Sequence, residues 1–243
     1  MNSVNLSSSG SWAEWEELVI RLREAIKSGN IEKDLSGLLA ECHRKYEDHL
    51  CVSSIDEALA VISGYDCSAL EIAFMWMGRW RPTSAIVLVF STMGVDLKGT
   101  VKDLDAFVSR AFVDSNALSE TQLFGLSALQ KYASEAEADI SQQLAVIQML
   151  LVEQNTVAAL RLGETCEVEM TDITEFQQLI DVKLKELFTL LEKADGLRLH
   201  TLRVLFDLLS PVQAASCIVA AYELVLTLRS LSNGHDYKDE TAR

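Results

Sequence analysis

The feature that most constrains the fold is a run of residues from about 119 to 156 that contains no proline. Apolar or small residues recur in this run in steps of three and four, which places one continuous stripe on one side of an α-helix. Ser119 and Gln122 have the spacing of a capping box at its start. Such a helix would be on the order of 55 Å long, so other helices must pack along it or a second copy must pair with it. The stripe consists of Leu126, Leu129, Ala133, Ala136, Ile140, Leu144, Ile147 and Leu151. The acidic residues Glu135, Glu137 and Asp139 fall outside it, so the uncovered side of the helix is expected to meet water or protein.

The remainder of the sequence also predicts helices. The chain of 243 residues has only 2 prolines and 11 glycines, fewer than the turns of a β-sandwich or barrel would need. Hydrophobic residues make up 49% of the chain, which is enough to form a sizeable core. We therefore predict an all-α fold, a single helical-bundle domain built around one long central helix. This domain is expected to span residues 11–232, between a disordered N-terminus (1–10) and a disordered tail (233–243).

Local signals predict where several other helices begin. Ser54 or Asp56 suits the start of a short helix, and Ser68 has Glu71 in the capping-box place before a stretch that extends to Trp80. Pro82 suits the first turn of the following helix.

The second half of the chain carries similar signals. An amphipathic helix is predicted at about 102–113, and another helix begins near Thr174. We expect Asp195-Gly196 to break or bend that helix. The sequence from Ser210 to Gln213 then predicts the start of a last helix, which is expected to end near Leu231.

The charge balance excludes several classes of partner. Asp and Glu outnumber Lys and Arg by 36 to 21, which gives a formal net charge of −15. Because cationic side chains dominate affinity for phosphates, we expect no direct nucleic-acid binding. No basic run suggests contact with anionic lipids, and the apolar stretches 85–95 and 212–228 are interpreted as buried helices. The first residues have neither the positive region nor the apolar region of a signal peptide, so no signal peptide is expected. Five scattered cysteines suit reduced thiols in the cytosol or nucleus.

One stretch imitates a phosphate-binding loop. The sequence GVDLKGT at residues 94–100 follows an apolar run, as such a loop follows a strand. Thr100 stands where the loop needs a lysine, and Asp96 would repel the anion. The stretch is therefore interpreted as a helix end and a turn.

A second group of residues could suggest a metal site. Cys42 and His49 are two helical turns apart, about 10 Å, whereas ligands on one helix face usually lie one turn apart. His43 and Cys51 point elsewhere on such a helix. We therefore predict no metal ligands. The sequence contains no paired nucleophile and base and no other enzyme motif, so we also predict no catalytic residues and no enzyme activity.

The tryptophans allow two interpretations. Trp12 and Trp15 lie in the first helix, and Trp76 and Trp80 lie beside Gly78 and Pro82. Each ring could anchor the core, or exposed members could form a partner-binding patch, since aromatic residues dominate interface hot spots.

Four stretches in the same order resemble a plant family. The sequence FMWMGRWRPTSAIVLVFS resembles the Trp-x-Gly-Gly-x-Arg-Pro-Ser signature of the delay-of-germination (seed dormancy) domain, which is also found in the C-terminal half of TGA-type bZIP transcription factors. The stretches WAEW, LSALQKYASEAEADISQQL and LEKADGLRLHTLRVLFDLLSPVQAASCIVAAYEL also match. The resemblance covers about residues 11–232 and is to a stand-alone member. The signature residues, expected to be mostly structural, are Trp76, Gly78, Trp80, Arg81, Pro82 and Ser84.

The resemblance implies a non-enzymatic regulator of plant development that acts through protein partners in the nucleus, the cytoplasm or both. Type 2C protein phosphatases of the abscisic-acid pathway and self-association are expected, with Trp12, Glu14 and Trp15 as candidate partner-binding residues. The alternatives are a transcriptional cofactor that pairs with TGA-type bZIP factors and a pollen-aperture factor. A sensor of haem or lipid ranks lower.

Two positions depart from the family pattern. The two histidines that hold haem in some members correspond to Val225 and Arg229, so no haem ligation of that kind is expected. The second glycine of the signature is Arg79, which we interpret as a tolerated variation on an exposed turn.

Overall fold

The computed structural model describes residues 8–28, 31–65, 67–94, 117–164 and 170–239. Within these ranges the chain forms α-helices and no strands, which confirms the all-α prediction. The elements are α1 (Ser8–Ser28), α2 (Ile31–Leu50), α3 (Ile55–Ser63), α4 (Ala69–Phe74), α5 (Pro82–Thr92), α6 (Glu120–Glu164), α7 (Met170–Leu208) and α8 (Pro211–Asp239).

The predicted long helix is α6, which has 45 residues. The backbone N–H of Ser119 donates to Oε1 of Gln122 at 2.9 Å, and the backbone N–H of Gln122 donates to Oγ of Ser119 at 3.3 Å, so the predicted capping box is present. However, α6 is not the one long helix of the fold. The 39 residues of α7 pack along it, and the two together form the centre of the structure.

The predicted break at Asp195-Gly196 is wrong, because α7 continues through both residues. Asp195 is buried and holds two arginine side chains, so its carboxylate is engaged away from the helix backbone. Gly196 is exposed, and no other atom lies within 4 Å of the place that a Cβ would take. Packing on both sides of this position therefore outweighs the weak helix propensity of glycine.

The core consists of three clusters. The first lies between α5, α6, the end of α7 and the start of α8; the second joins α3 to α6 and α7; and the third joins α1, α2 and α8. The predicted stripe on α6 is buried at five of its positions and is covered mainly by α7 and α5. These five are Leu126, Leu129, Ala133, Ile140 and Ile147.

Hydrogen bonds of two glutamines connect the starts of α6 and α8. Gln213 completes the capping box of α8 with Ser210, as the sequence predicts. Gln122 donates through Nε2 to Oε1 of Gln213 and to the carbonyl of Leu208, both at 2.8 Å. Each cap residue thus stabilises its own helix and binds the neighbouring one.

The chain between α4 and α5 is a turn, although the sequence predicts helix as far as Trp80. The short α4 keeps its capping box of Ser68 and Glu71. It ends at Phe74 because Met77 and Gly78 have φ values of 50° and 71°, which a right-handed helix excludes.

Other predicted boundaries have different outcomes. Ser54 caps α3, and Pro82 occupies the first turn of α5, both as predicted. Helix α8 extends to Asp239, past the predicted end near Leu231. The predicted helix at 102–113 and most of the loop at 94–100 lie outside the described residues. The division of the chain into a domain and two disordered ends stays a prediction.

By length and composition alone, one stretch of the described chain, Pro211–Ser232, could cross a membrane. The core helix of a soluble protein satisfies the same criterion. In this fold the helix packs against α1, α2, α4 and α5. Its second half also carries two residues engaged in ion pairs, Glu223 and Arg229.

Replacement of Gly196 by alanine tests the continuity of α7. Because the site is open and helical, Gly196→Ala should stabilise the fold by up to about 1 kcal/mol. Gly78→Ala should destabilise it by about 2 kcal/mol or more, since the new Cβ would lie 2.2 Å from the carbonyl oxygen of Val61 at a positive φ. Denaturant unfolding measures both changes, and a destabilised Gly196→Ala variant would contradict the continuous helix.

Candidate functional site

The turn between α4 and α5 is held by a buried arginine of α7. Arg198 is fully buried. Its Nε donates to the carbonyl of Trp80 at 2.8 Å, and its other nitrogens donate to Asp195 at 2.6 Å and to the carbonyl of Trp76. The guanidinium carbon also lies 5.2 Å from the centre of the Trp76 ring. Burial lowers the pKa of Arg198 to about 10, and the Asp195 carboxylate opposes that shift, so Arg198 stays charged at neutral pH.

The turn that carries Arg79 is not exposed at this residue, so the prediction of a tolerated variation on an exposed turn is wrong. Its side chain is only 10% exposed and forms an ion pair with Asp195. It also donates to the carbonyls of His49 and Leu50, at 3.0 and 3.1 Å. These carbonyls end α2 and have no partner within their own helix. Arg79 therefore caps α2 and ties it to α7.

Glu137, which the sequence places on the outer side of α6, is also buried, with 3% of its surface exposed. It accepts hydrogen bonds from Nε of Arg81 at 2.7 Å, and from the backbone N–H and hydroxyl of Thr83 at 2.7 and 3.0 Å. The expectation that the acidic residues outside the stripe face outward is therefore wrong for Glu137, whereas Glu135 and Asp139 are exposed. Its carboxylate instead caps the N-terminus of α5, where the helix dipole favours negative charge.

The remaining signature residues have mainly backbone and packing contacts. Trp76 donates from Nε1 to Oγ of Ser141 at 2.9 Å. Pro82 is buried, whereas Ser84 is exposed and its backbone N–H donates to the carbonyl of Arg81. These contacts join the turn to α6 and start α5.

Trp12 lies against α8. The guanidinium of Arg229 stacks on its ring at 3.7 Å, and the ring of Tyr222 lies 6.3 Å away. Arg229 also forms an ion pair with Glu71 of α4 at 2.7 Å. The residue at one of the family's haem-ligand positions therefore joins three helices, while Val225, at the other position, is half-buried.

Trp15 and Glu14 point in different directions. The ring of Trp15 lies 4.7 Å from the ring of Tyr46 on α2 and packs on the core of α1, α2 and α8. Glu14 is 65% exposed and pairs with Lys45 at 2.5 Å. The two tryptophans thus hold α1 in place, and Glu14 belongs to an outer face of α1 that also contains Glu16, Glu17 and Ile20.

The cysteine and histidine side chains between Cys42 and Cys51 have different surroundings. Cys42 is buried, and burial raises the pKa of its thiol to about 12, which disfavours a thiolate ligand. Cys51 is exposed, and the ring of His43 lies 5.8 Å from Phe206. Among the described residues, no three His, Cys, Asp or Glu side chains converge as a metal site would require.

The sequence did not identify the charged residues that organise the turn. Asp195, Arg198 and Glu137 are polar residues in helices, and their local pattern does not distinguish burial from exposure. One signal was available, because Asp195 and Arg198 both belong to the stretch at 191–224 that resembles the family.

Two arginines of α7 test the effect of burial. Arg198→Met should destabilise the fold by about 3–5 kcal/mol, because it leaves the buried Asp195 with one partner and removes the guanidinium donors to the carbonyls of Trp76 and Trp80. Arg203 pairs with Glu47 at 2.6 Å but is 58% exposed, so Arg203→Met should cost less than about 1 kcal/mol. Equal losses in denaturant unfolding would contradict the structural role of Arg198.

Glu71 predicts a pH dependence of stability. Burial alone raises the pKa of Glu71, but hydrogen bonds from Arg229 and Ser68 lower it below its ordinary value of 4.5. A lowered pKa in the folded state stabilises the fold above the ordinary pKa, and this stabilisation disappears as the pH falls through the folded value. The difference in Tm between the wild type and Glu71→Gln should therefore be largest above pH 4.5 and shrink below it. A difference that is constant from pH 6 to pH 3 would contradict this prediction.

Comparison with known proteins gives a consistent relationship. A family model described as seed dormancy control (DOG1) matches residues 18–91. The bZIP transcription factor TGA10 of Nicotiana tabacum is 28% identical over 96% of this chain and 43% of its own length. Protein DOG1-like 1 of Arabidopsis thaliana is 26% identical over 93% of this chain and 88% of its own length. The transcription factor PERIANTHIA of Arabidopsis thaliana is 24% identical over 91% of this chain and 45% of its own length.

The chain thus spans less than half of these transcription factors and most of the DOG1-like protein. The family match lies in α1 to α5 and includes the turn at Trp76 to Arg81. The resemblance found in the sequence is confirmed: the seed dormancy control (DOG1) family model matches residues 18–91, and both DOG1-like proteins and TGA-type bZIP factors are similar to nearly the whole chain.

Proposed function

We propose that this chain is a plant regulatory protein linked to transcription that acts by binding other proteins and catalyses no reaction. The observation that carries the proposal is the similarity along nearly the whole chain to two kinds of protein, a DOG1-like protein and bZIP transcription factors. The region of similarity makes up most of the DOG1-like protein and less than half of each bZIP factor. A domain used in this way suits a role in recognition.

The charge of the chain supports protein partners. With a net charge of −15, the surface should repel nucleic acid, so a link to transcription requires a DNA-binding partner. We propose TGA-type bZIP factors as that partner, and type 2C protein phosphatases of the abscisic-acid pathway as a second class. Self-association is part of the same proposal. The protein would then act in the nucleus, the cytoplasm or both.

The outer face of α1 is the proposed contact surface. Trp12 and Trp15 fix the position of this helix, because their rings pack on α8 and α2. The side chains turned outward are Glu14, Glu17 and Ile20, the last with 46% of its surface exposed. An acidic face around an aliphatic side chain suits a partner segment that is basic and partly apolar.

The long helix does not support pairing through its inner stripe. That stripe was the reason to consider helix pairing with bZIP factors, and α5 and α7 cover it within the chain. Any helix pairing must therefore use another face of α6.

A binding assay with charge reversals tests this proposal. A purified TGA-type bZIP factor and a purified type 2C phosphatase are the probes, and binding is measured by calorimetry. The variant Glu14→Lys with Glu17→Lys should bind at least about tenfold more weakly, whereas Glu192→Lys, an exposed residue of α7, should bind like the wild type. Because both changes are on the surface, each variant should keep its fold.

The outcomes separate the function from the surface. If the wild type binds neither probe, the proposed function is wrong. If it binds a probe and the double variant binds equally well, the function stands and the assignment to α1 is wrong.

A further inference from the structure

The outer side of α6 carries a second periodic line of residues, distinct from the buried stripe. Alternating steps of four and three from Phe124 to Val152 reach nine residues, and all nine are exposed. We call this line the outer seam; it consists of Phe124, Ala128, Lys131, Glu135, Ala138, Gln142, Ala145, Met149 and Val152. Steps that alternate in this way have the period of 3.5 residues found in coiled coils, where they form the contact with a partner helix.

The second half of the outer seam carries no charge. The 13 residues from Ile140 to Val152 include no Asp, Glu, Lys or Arg, although such residues make up 23% of the chain. The exposed side chains of this stretch are aliphatic, amide or small: Met149 and Val152 of the seam are 53% and 64% exposed, and Val146 beside the seam is 47% exposed. A surface that is depleted of charge and contains exposed methionine resembles the core of a protein interface.

We propose that a second copy of this chain packs on the outer seam, with the two α6 helices antiparallel. This inference rests on the self-association included in the proposed function and specifies where it occurs. The reason to choose a second copy is the pattern of charge and side-chain size along the seam, which matches itself in one antiparallel register. With a net charge of −15, two such chains repel each other wherever acidic surfaces meet. The uncharged half of the seam is a surface on which they can meet without that repulsion.

The charges of the seam also select the orientation. A parallel pair in register would place Lys131 against Lys131 and Glu135 against Glu135 of the partner copy. An antiparallel pair with Ala138 at the two-fold axis instead places Glu135 opposite Gln142 and Lys131 opposite Ala145. In this register each charged residue of one copy faces an uncharged residue of the other.

The same register also matches side-chain sizes. Met149 faces Ala128, and Phe124 faces Val152, so a large side chain meets a smaller one at both places. Ala138 meets its own copy at the axis, where the short side chain lets the two helices approach closely. A two-fold interface requires this kind of self-complementarity.

Analytical ultracentrifugation of the full chain, combined with a substitution in the seam, tests the proposal. The wild type should sediment as a dimer, and Met149→Glu should raise the dimer dissociation constant at least about tenfold, because it places an acid in the uncharged half. Leu224→Glu is the matched control: Leu224 lies on α8 with 49% of its surface exposed, and its substitution should leave the dimer unchanged. Circular dichroism confirms that each variant folds.

A cysteine pair tests the register. In a background with Cys51→Ser and Cys166→Ser, Ala138→Cys should form a disulfide between copies under mild oxidation. Ala145→Cys should not, because the two Ala145 positions would be about 21 Å apart along the helices, beyond the reach of a disulfide. Both sites are exposed alanines of the same helix.

Each alternative outcome overturns a defined part of the proposal. A wild type that stays monomeric at all concentrations overturns the inference and leaves partner binding through α1 standing. A dimer that Met149→Glu does not weaken, or that Ala145→Cys cross-links as readily as Ala138→Cys, excludes the antiparallel outer seam.

Discussion

The rest of the structure depends on the buried guanidinium of Arg198. An arginine without exposure needs partners for its charge and its donors, and the turn between α4 and α5 supplies most of them through the carbonyls of Trp76 and Trp80. Met77 and Gly78 adopt positive φ values in this turn, a conformation that carries a cost unless the surroundings fix it. The turn and the arginine therefore stabilise each other, and neither is explained by its local sequence.

Three elements take their positions from this arrangement. Arg79 extends from the turn to the end of α2 and shares Asp195 with Arg198, so one carboxylate serves two arginines. Arg81 and Thr83, at the other end of the turn, bind Glu137 and so place the start of α5 against α6. The residues that match the family signature thus connect α2, α5, α6 and α7. The charged residues among them are occupied within the chain, which leaves partner recognition to other surfaces.

The sequence predicted the features that depend on local chemistry. Helix starts were found where a side chain satisfies backbone amides a few residues away, as at Ser119 and Ser210. The periodic stripe of α6 was found because burial on one side leaves a pattern in sequence. The break expected at Gly196 and the exposure expected of Arg79 and Glu137 were wrong for a common reason. In each case the outcome depends on residues far away in sequence, to which propensity and periodicity are insensitive.

The two sides of α6 show how the same reasoning extends to function. Periodicity alone shows that a helix face is apolar, but it does not show whether that face is covered by the same chain or by another. The buried residues of the stripe are covered by α5 and α7 and are therefore not accessible to a partner. On the outer side, the distribution of charge distinguishes the two cases. The chain is acidic, yet the second half of the exposed outer seam is uncharged and partly aliphatic, where charged residues would improve solubility. A surface of that kind is best explained by an interaction that the acidic remainder of the chain would oppose.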